Sequence, residues 1–211
     1  MSSNAYEAGR IGLLLIDTVN EIFAENGKAY PIFKDEFDRI GTFANLKRLL
    51  AGVRDQGIPV FFSPMAYTES DYTTWRHLSG IHREMYDNRL FEAGSWGADF
   101  HPELSPRPNE VVIEPHKNID VMANTDLDVQ LRQHNVEYLA IGGMIGTMCV
   151  ESTARSAMER GYHVTTLTDA TAAQGGRAAY DEMVARYPMI SHATLSVDEF
   201  LTATRAAKSQ L

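Results

Sequence analysis

The segment IGGMIGTMCVESTA, residues 141–154, decides the fold of this 211-residue chain and contains its single cysteine. An apolar run over residues 138–141 is typical of a buried strand, and two glycines and a short turn separate it from Cys149. A helical pattern begins at Met148 and runs to about Gly161. The thiol is therefore expected where a strand has ended and a helix starts. Because the free N–H groups of a first helical turn favour an anion, this position can lower the pKa of a thiol.

Segments with strand and helix patterns alternate on both sides of this segment. The predicted strands cover residues 11–16, 58–62, 111–113, 138–141, 162–167 and 193–196. The predicted helices cover residues 35–56, 124–134, 148–161, 177–185 and 197–206, and residues 18–34 are expected to form a long loop. Such alternation requires a parallel sheet with helices on both faces. We predict an α/β fold of three layers, Rossmann-like in its α/β/α order, in a single domain over residues 1–211, with residues 1–9 as a loose extension.

Composition excludes several classes of function. The 19 basic and 28 acidic side chains give a net charge of −9, which argues against a nucleic-acid partner and more weakly against an anionic membrane surface. No apolar run approaches the ~18 residues that a membrane-spanning helix needs, and the N-terminus has no apolar core of the signal-peptide kind. A single cysteine excludes an internal disulfide, so a cytoplasmic location is expected.

Three residues that can do chemistry follow predicted strands. Asp17 follows the first strand, Lys117 the third and Cys149 the fourth. Because ligands bind beyond the carboxyl ends of the strands in such folds, we expect all three at one edge of the sheet. Asp17 could then take the thiol proton while Lys117 steadies the negative charge. Each also has an ordinary structural explanation: a buried thiol, a turn carboxylate and a solvated lysine.

Residues 63–108 carry many aromatic side chains and one predicted helix over residues 78–90. A segment this long within a compact domain favours a functional excursion over one end of the sheet, or a subunit contact. An extended surface loop with core aromatics is the alternative. Four aromatic residues are candidate pocket walls, although core or subunit-contact roles are equally compatible with the sequence: Phe23, Tyr67, Trp75 and Trp96. The arginines that could hold a substrate carboxylate are Arg76, Arg83, Arg89 and Arg177, and the sequence does not rank them.

The chain resembles the isochorismatase-like cysteine hydrolases, the superfamily of nicotinamidase and N-carbamoylsarcosine amidohydrolase. The matching pieces are LLLIDTVNEIF (residues 13–23), the lysine within EPHKNIDVMANTDL (114–127), GGMIGTMCVESTARSAMERGYHV (142–164) and TDATAA (168–173). The resemblance implies a six-stranded parallel sheet, a triad of Asp17, Lys117 and Cys149, and assembly into a homodimer or homotetramer. It also implies a cis peptide between Met144 and Ile145, with the N–H groups of Ile145 and Cys149 forming an oxyanion hole.

The chain departs from the family pattern at several positions. Val19 stands where the first motif usually has Gln, and residues 119–122 replace the usual Ser-Ala-Phe. Residues 63–67 lack the Asp-x-His metal motif of nicotinamidases, and His77, His82 and His101 fit no metal-ligand spacing. We therefore expect neither a catalytic metal nor another cofactor.

Retention of Cys149 favours C–N hydrolysis, since the relatives that cleave a vinyl ether generally lack this cysteine. The expected activity is metal-independent hydrolysis of a small amide, ureide or carbamoyl compound through a thioester. Two alternatives stay open at this level. One is an isochorismatase-type hydrolase that uses Asp17 as an acid and leaves Cys149 idle. The other is a non-catalytic, thiol-sensing oligomer on the same fold.

Overall fold

A six-stranded parallel sheet forms the centre of the molecule, in the order β3-β2-β1-β4-β5-β6. The structure, a computed structural model, describes residues 6–209. Its strands are β1 (Ile11–Ile16), β2 (Val60–Ser63), β3 (Val111–Val112), β4 (Tyr138–Gly143), β5 (His163–Leu167) and β6 (Ala193–Leu195). Every neighbouring pair is parallel. The predicted three-layer α/β fold is confirmed.

The two central strands explain where a site can form. All six residues of β1 are buried, as expected for a strand covered by helices on both faces. β1 pairs with β2 on one side and with β4 on the other, and Ile16 lies opposite Gly143 in the β1–β4 register. The order of the strands reverses between β1 and β4, so their carboxyl ends open a crevice there. Asp17 and Met144 are the first residues beyond that edge.

The helices pack on both faces of the sheet. They are α1 (Asn20–Phe23), α2 (Tyr30–Ile40), α3 (Thr42–Gln56), α4 (Glu69–Thr74), α5 (Gly80–Asp87), α6 (Leu127–Gln133), α7 (Glu151–Glu159), α8 (Gly176–Arg186) and α9 (Val197–Lys208). Short 3₁₀ turns occur at Trp96–Ala98, Pro102–Leu104 and Tyr187–Met189, and a π turn spans Gly146–Val150.

The predictions for residues 18–56 were wrong in two respects. The expected loop over residues 18–34 contains α1 and the start of α2. The expected single helix over residues 35–56 is two helices, because Gly41 adopts a left-handed φ of 76° and ends α2. Its N–H donates to Phe37 O at 2.8 Å. The apolar positions on either side of Gly41 fit one continuous stripe, so their periodicity concealed the break.

The N-terminal extension is less loose than predicted. Tyr6 is buried, and its hydroxyl lies 2.8 Å from Thr165 Oγ1. Its ring packs edge-on against Phe200 and Tyr138. The prediction is therefore wrong at Tyr6, whereas residues 1–5 lie outside the described part of the chain.

The excursion over residues 63–108 contains α4, α5 and two of the 3₁₀ turns. The predicted helix over residues 78–90 is α5, which is shorter than expected and is capped by the Ser79 side chain. The rings of Tyr67, Tyr72, Trp75 and Tyr86 pack against one another and hold the segment together. Within residues 6–209, no helix is long and apolar enough to cross a membrane.

Candidate active site

Asp17 is held rigidly at the tip of the central strand. It has a left-handed φ of 54°, and its backbone N–H donates to Ser63 O at 2.9 Å. Asp17 is only 2% exposed. The end of β1 thus directs a buried carboxyl group into the crevice at the strand-order reversal.

Cys149 lies in the π turn that joins β4 to α7. The turn needs small residues because the chain runs close to its neighbours. Gly143 has a φ of 105°, and a Cβ there would lie 2.1 Å from Ile16 O. A Cβ on Gly146 would lie 2.3 Å from Met183 Sδ. The peptide between Met144 and Ile145 is cis, as the resemblance implied.

The environment of the sulfur raises the pKa of the Cys149 thiol. Burial has the largest effect, and the negative charge of Asp17 and its hydrogen bond act in the same direction. The backbone N–H groups of Ile145 and Cys149 also bond to the sulfur and oppose the shift without cancelling it. The expectation of a lowered pKa is therefore wrong, because burial beside a carboxylate outweighs the N–H groups. The thiol keeps its proton and needs a base, and Asp17 is adjacent.

His116 is the third side chain of the cluster. Its Nε2 lies 3.0 Å from Asp17 Oδ1, and its Nδ1 lies 2.7 Å from Asn118 O. The side chain is fully buried. Asp17 therefore contacts both an imidazole and a thiol.

The hydrogen-bond partners of His116 determine how many protons the cluster holds. A backbone carbonyl can only accept, so Nδ1 carries a hydrogen, and a second proton lies between Nε2 and Oδ1. Burial alone would lower the pKa of His116, but the charge of Asp17 and the bonds to Asp17 and Asn118 raise it overall. This direction favours the positively charged form of His116. His116 supplies the buried positive charge that the sequence assigned to Lys117.

Lys117 does not join Asp17 and Cys149, which corrects the predicted triad. Its Nζ pairs with the Asp71 carboxylate at the start of α4. Burial raises the pKa of Asp71, but hydrogen bonds from Lys117 and Thr68 lower it overall. The physical reason is alternation: His116 bridges to Met65 in an extended stretch, where successive side chains point in opposite directions. The sequence prediction was therefore wrong by one residue. If the side chain of His116 faces the crevice, that of the adjacent Lys117 must face away from it.

A small pocket opens over the thiol and encloses about 50 Å³. Asp17, Cys149 and Ile145 form part of its wall. The remaining lining residues are Ile22, Ala29, Ile32, Phe33, Met65, Ile81, Glu84, Met85, Leu90, Phe91, Ile119, Met148 and Gln174. The excursion contributes through α5, which fits the expectation of a functional segment over one end of the sheet.

The four aromatic residues predicted as pocket walls do not line this pocket. Phe23 stacks on Phe37, whereas Tyr67 and Trp75 belong to the aromatic cluster of the excursion. The Tyr67 hydroxyl donates to Lys117 O at 2.8 Å, and Trp96 is 52% exposed. The prediction failed because Tyr67 and Trp75 pack within the excursion and Phe23 packs on α2, while two other aromatic residues, Phe33 and Phe91, line the pocket.

Among residues 6–209, no group of three or more His, Cys, Asp or Glu side chains is arranged so that it could hold a metal ion. Metal independence stays a prediction about the activity.

Comparison with known proteins agrees with the fold and the sequence motifs. The family model for the isochorismatase domain matches residues 12–194. The chain is 31% identical over 160 residues to the uncharacterized isochorismatase family protein YddQ of Bacillus subtilis (strain 168), with 76% of each chain covered.

Two further relatives extend the match over nearly the whole chain. The ureidoacrylate amidohydrolase RutB of Variovorax paradoxus (strain S110) is 26% identical over 208 residues, covering 93% of this chain and 82% of the relative. The crystal structure of a cysteine hydrolase from Pseudomonas syringae pv. phaseolicola 1448A has a TM-score of 0.79 at 19% identity. It covers 98% of this chain and 100% of the other, and at that identity it supports the fold alone.

Proposed function

Because this chain belongs to the isochorismatase domain family, we propose that it is a cysteine-dependent amidohydrolase. Its substrate is a small amide, ureide or carbamoyl compound, and its catalytic residues are Asp17 and Cys149, with His116 in place of Lys117. One observation carries the proposal: a buried carboxylate adjoins a buried, protonated thiol at the wall of a pocket. The amidohydrolase activity named for the Variovorax relative supports it.

The first half of the reaction forms a thioester. Asp17 takes the proton of Cys149 as the sulfur attacks the carbonyl carbon. The N–H groups of Ile145 and Cys149, which bond to the resting sulfur, stabilise the oxyanion, a contribution of about 3 kcal/mol per donor. When the tetrahedral intermediate collapses, the C–N bond breaks. Asp17 returns the proton to the departing nitrogen, so that ammonia or an amine leaves.

The second half releases the acid. Asp17 takes a proton from a water molecule, whose oxygen attacks the thioester carbon. The C–S bond then breaks, and the proton on Asp17 returns to the sulfur. His116 stays hydrogen-bonded to Asp17 throughout, and its positive charge lies beside the carboxylate in both proton transfers. A metal ion has no role in either step.

The same observations disfavour the two alternatives. A redox-sensing cysteine needs an exposed thiol of low pKa, whereas Cys149 is buried and its pKa is raised. An enzyme that used Asp17 alone would have no need for a thiol hydrogen-bonded to that carboxylate. Assembly into a homodimer or homotetramer stays a prediction that size measurement in solution can test.

The test is a screen of small amides, ureides and carbamoyl compounds for ammonia release. Wild type, Cys149→Ala and Cys149→Ser are assayed together, with circular dichroism as the control for folding. We expect both variants to fold and to lose turnover by about 10⁴-fold or more. Full activity in either variant would overturn the thiol mechanism.

A further inference from the structure

The charges around the pocket restrict the class of substrate. Asp17 and Glu84 are the acidic residues of the lining, and no Lys, Arg or His side chain of residues 6–209 lines it. Gln174 adds one neutral polar group. The remaining walls are hydrophobic, with Phe33, Ile81 and Met85 among them. A bound carboxylate would lose its water and meet no cation in the lining, which is unfavourable.

Three cations that lie close in the chain to lining residues have other partners. Arg89 bonds to Glu69 and Glu92 at 2.7 and 2.6 Å. The Lys28 ammonium donates to the backbone oxygens of Asn88 and Arg89. Lys117 is paired with Asp71. The buried imidazolium of His116 faces Asp17 from behind the pocket wall, so its charge is already neutralised.

We propose, resting on the amidohydrolase function above, that the substrate is an uncharged amide with a short apolar acyl group, and that substrates with a free carboxylate are rejected. The volume of about 50 Å³ corresponds to roughly four water molecules, at ~10–15 Å³ each, which suits an acyl chain of a few carbons. The proposal separates this chain from the Variovorax relative, whose named substrate, ureidoacrylate, carries a carboxylate.

Alkylation of the single cysteine tests the charge preference without any turnover. Iodoacetamide and iodoacetate are similar in size and alkylate a thiol in the same way, but only iodoacetate is anionic. The rate ratio of iodoacetamide to iodoacetate is measured for the folded protein and, as reference, for the same cysteine in urea. We expect the ratio in the folded protein to exceed the reference by about tenfold or more, because Glu84 repels the anion and the lining offers no cation to receive it. A ratio equal to or below the reference would overturn the proposal.

A pair of variants on α5 assigns part of the effect to the pocket rim. Glu84→Gln should lower the rate ratio, since it removes one negative charge from the lining. Asp87→Asn, which removes an exposed charge of the same helix outside the lining, should leave it unchanged. Equal ratios in the two variants would contradict the role of Glu84.

Hydrolysis provides the second arm. Butyramide and succinamate are amides of the same chain length, but butyramide ends in a methyl group and succinamate in a carboxylate. We expect kcat/KM for butyramide to be higher by about 10²-fold, the order of magnitude set by an unpaired charge at an apolar site. Preference for succinamate would overturn the inference and leave the amidohydrolase proposal standing. Failure to hydrolyse any amide would overturn the proposed function, and the alkylation ratio would still decide the charge preference.

Discussion

His116 and Lys117 are neighbours in the chain but act on different parts of the molecule. His116 is buried against Asp17, whereas Lys117 ties the extended stretch to Asp71 of α4. The sequence indicates a cation after β3, and it cannot decide between two adjacent basic residues. Only the backbone direction beside Met65 settles which side chain faces the crevice. A shift of one residue in an extended chain exchanges the two sides.

Glutamine substitutions at these two positions separate their roles. His116→Gln should lower kcat by about 10²-fold, because it removes the positive charge that lies beside the proposed base Asp17. Lys117→Gln should change kcat by less than about fivefold, since Lys117 pairs with Asp71 and not with Asp17 or Cys149. That ion pair is also partly exposed, so its loss should cost little. Steady-state kinetics on an amide substrate provides the measurement. The reverse order of effects would restore Lys117 to the site.

The dependence of kcat on pH should report His116. Its pKa is raised above the ordinary value of 6.5, so the cation is complete below that value and is lost as the pH rises through the folded pKa. We therefore expect an alkaline decline of kcat that begins above pH 6.5. His116→Lys should move this decline to higher pH, because a lysine ordinarily titrates near ~10.4. A decline that stays in place in the lysine variant would exclude His116 as its origin.

At the scale of the element, the turn after β4 depends on close backbone approach. Gly143 and Gly161 share a left-handed φ, of 105° and 90°, so alanine costs backbone energy at both positions. The two positions differ in the room available for a side chain. A Cβ at Gly143 would lie 2.1 Å from Ile16 O, whereas a Cβ at Gly161 would meet no atom within 4 Å. A side chain at Gly143 would therefore clash with Ile16, its partner in the pairing of β1 with β4.

Alanine at the two glycines measures that contact. Gly161→Ala should cost about 1 kcal/mol of unfolding free energy, the ordinary penalty of a left-handed residue. Gly143→Ala should cost about 3 kcal/mol or more, because overpacking against the backbone adds to that penalty. Urea unfolding gives both values. Equal costs would show that the turn has room to relax.

Some elements are readable in the sequence and others are not. The apolar runs of β1 and β4 locate the centre of the sheet, and with it the positions of Asp17 and Cys149. The break at Gly41 is concealed because the apolar stripe continues across it. The pocket walls cannot be inferred either, since Phe33 of α2 and Met85 of α5 meet only after the excursion has folded back.

At the scale of the whole molecule, a partly buried ion pair connects a helix to the sheet. Arg54, near the end of α3, bonds to both carboxylate oxygens of Glu110, which precedes β3, at 2.7 Å each. Burial raises the pKa of Glu110, but the bonds from Arg54 and from the Arg107 N–H lower it overall, below its ordinary 4.5. The stability gained is therefore present above pH 4.5 and is lost as the pH falls through the folded pKa.

Removing this carboxylate should destabilise the fold. Glu110→Gln leaves Arg54 without its counter-charge, and because the pair is only partly buried we expect a loss of about 1–2 kcal/mol near neutral pH. The difference from wild type should shrink as the pH falls toward ~3, where wild type also loses the charge. Glu114→Gln, an exposed neighbour, serves as the control and should change little. A pH-independent difference would contradict the assigned ion pair.

The thioester at Cys149 can be tested most directly by adding hydroxylamine during turnover of an amide that passes the screen. A thioester is shared between water and the stronger nucleophile, so an acyl hydroxamate should form at the expense of the free acid. Cys149→Ala should give neither product above the uncatalysed rate. Continued release of ammonia and acid with no hydroxamate, together with activity in Cys149→Ala, would contradict a cysteine nucleophile.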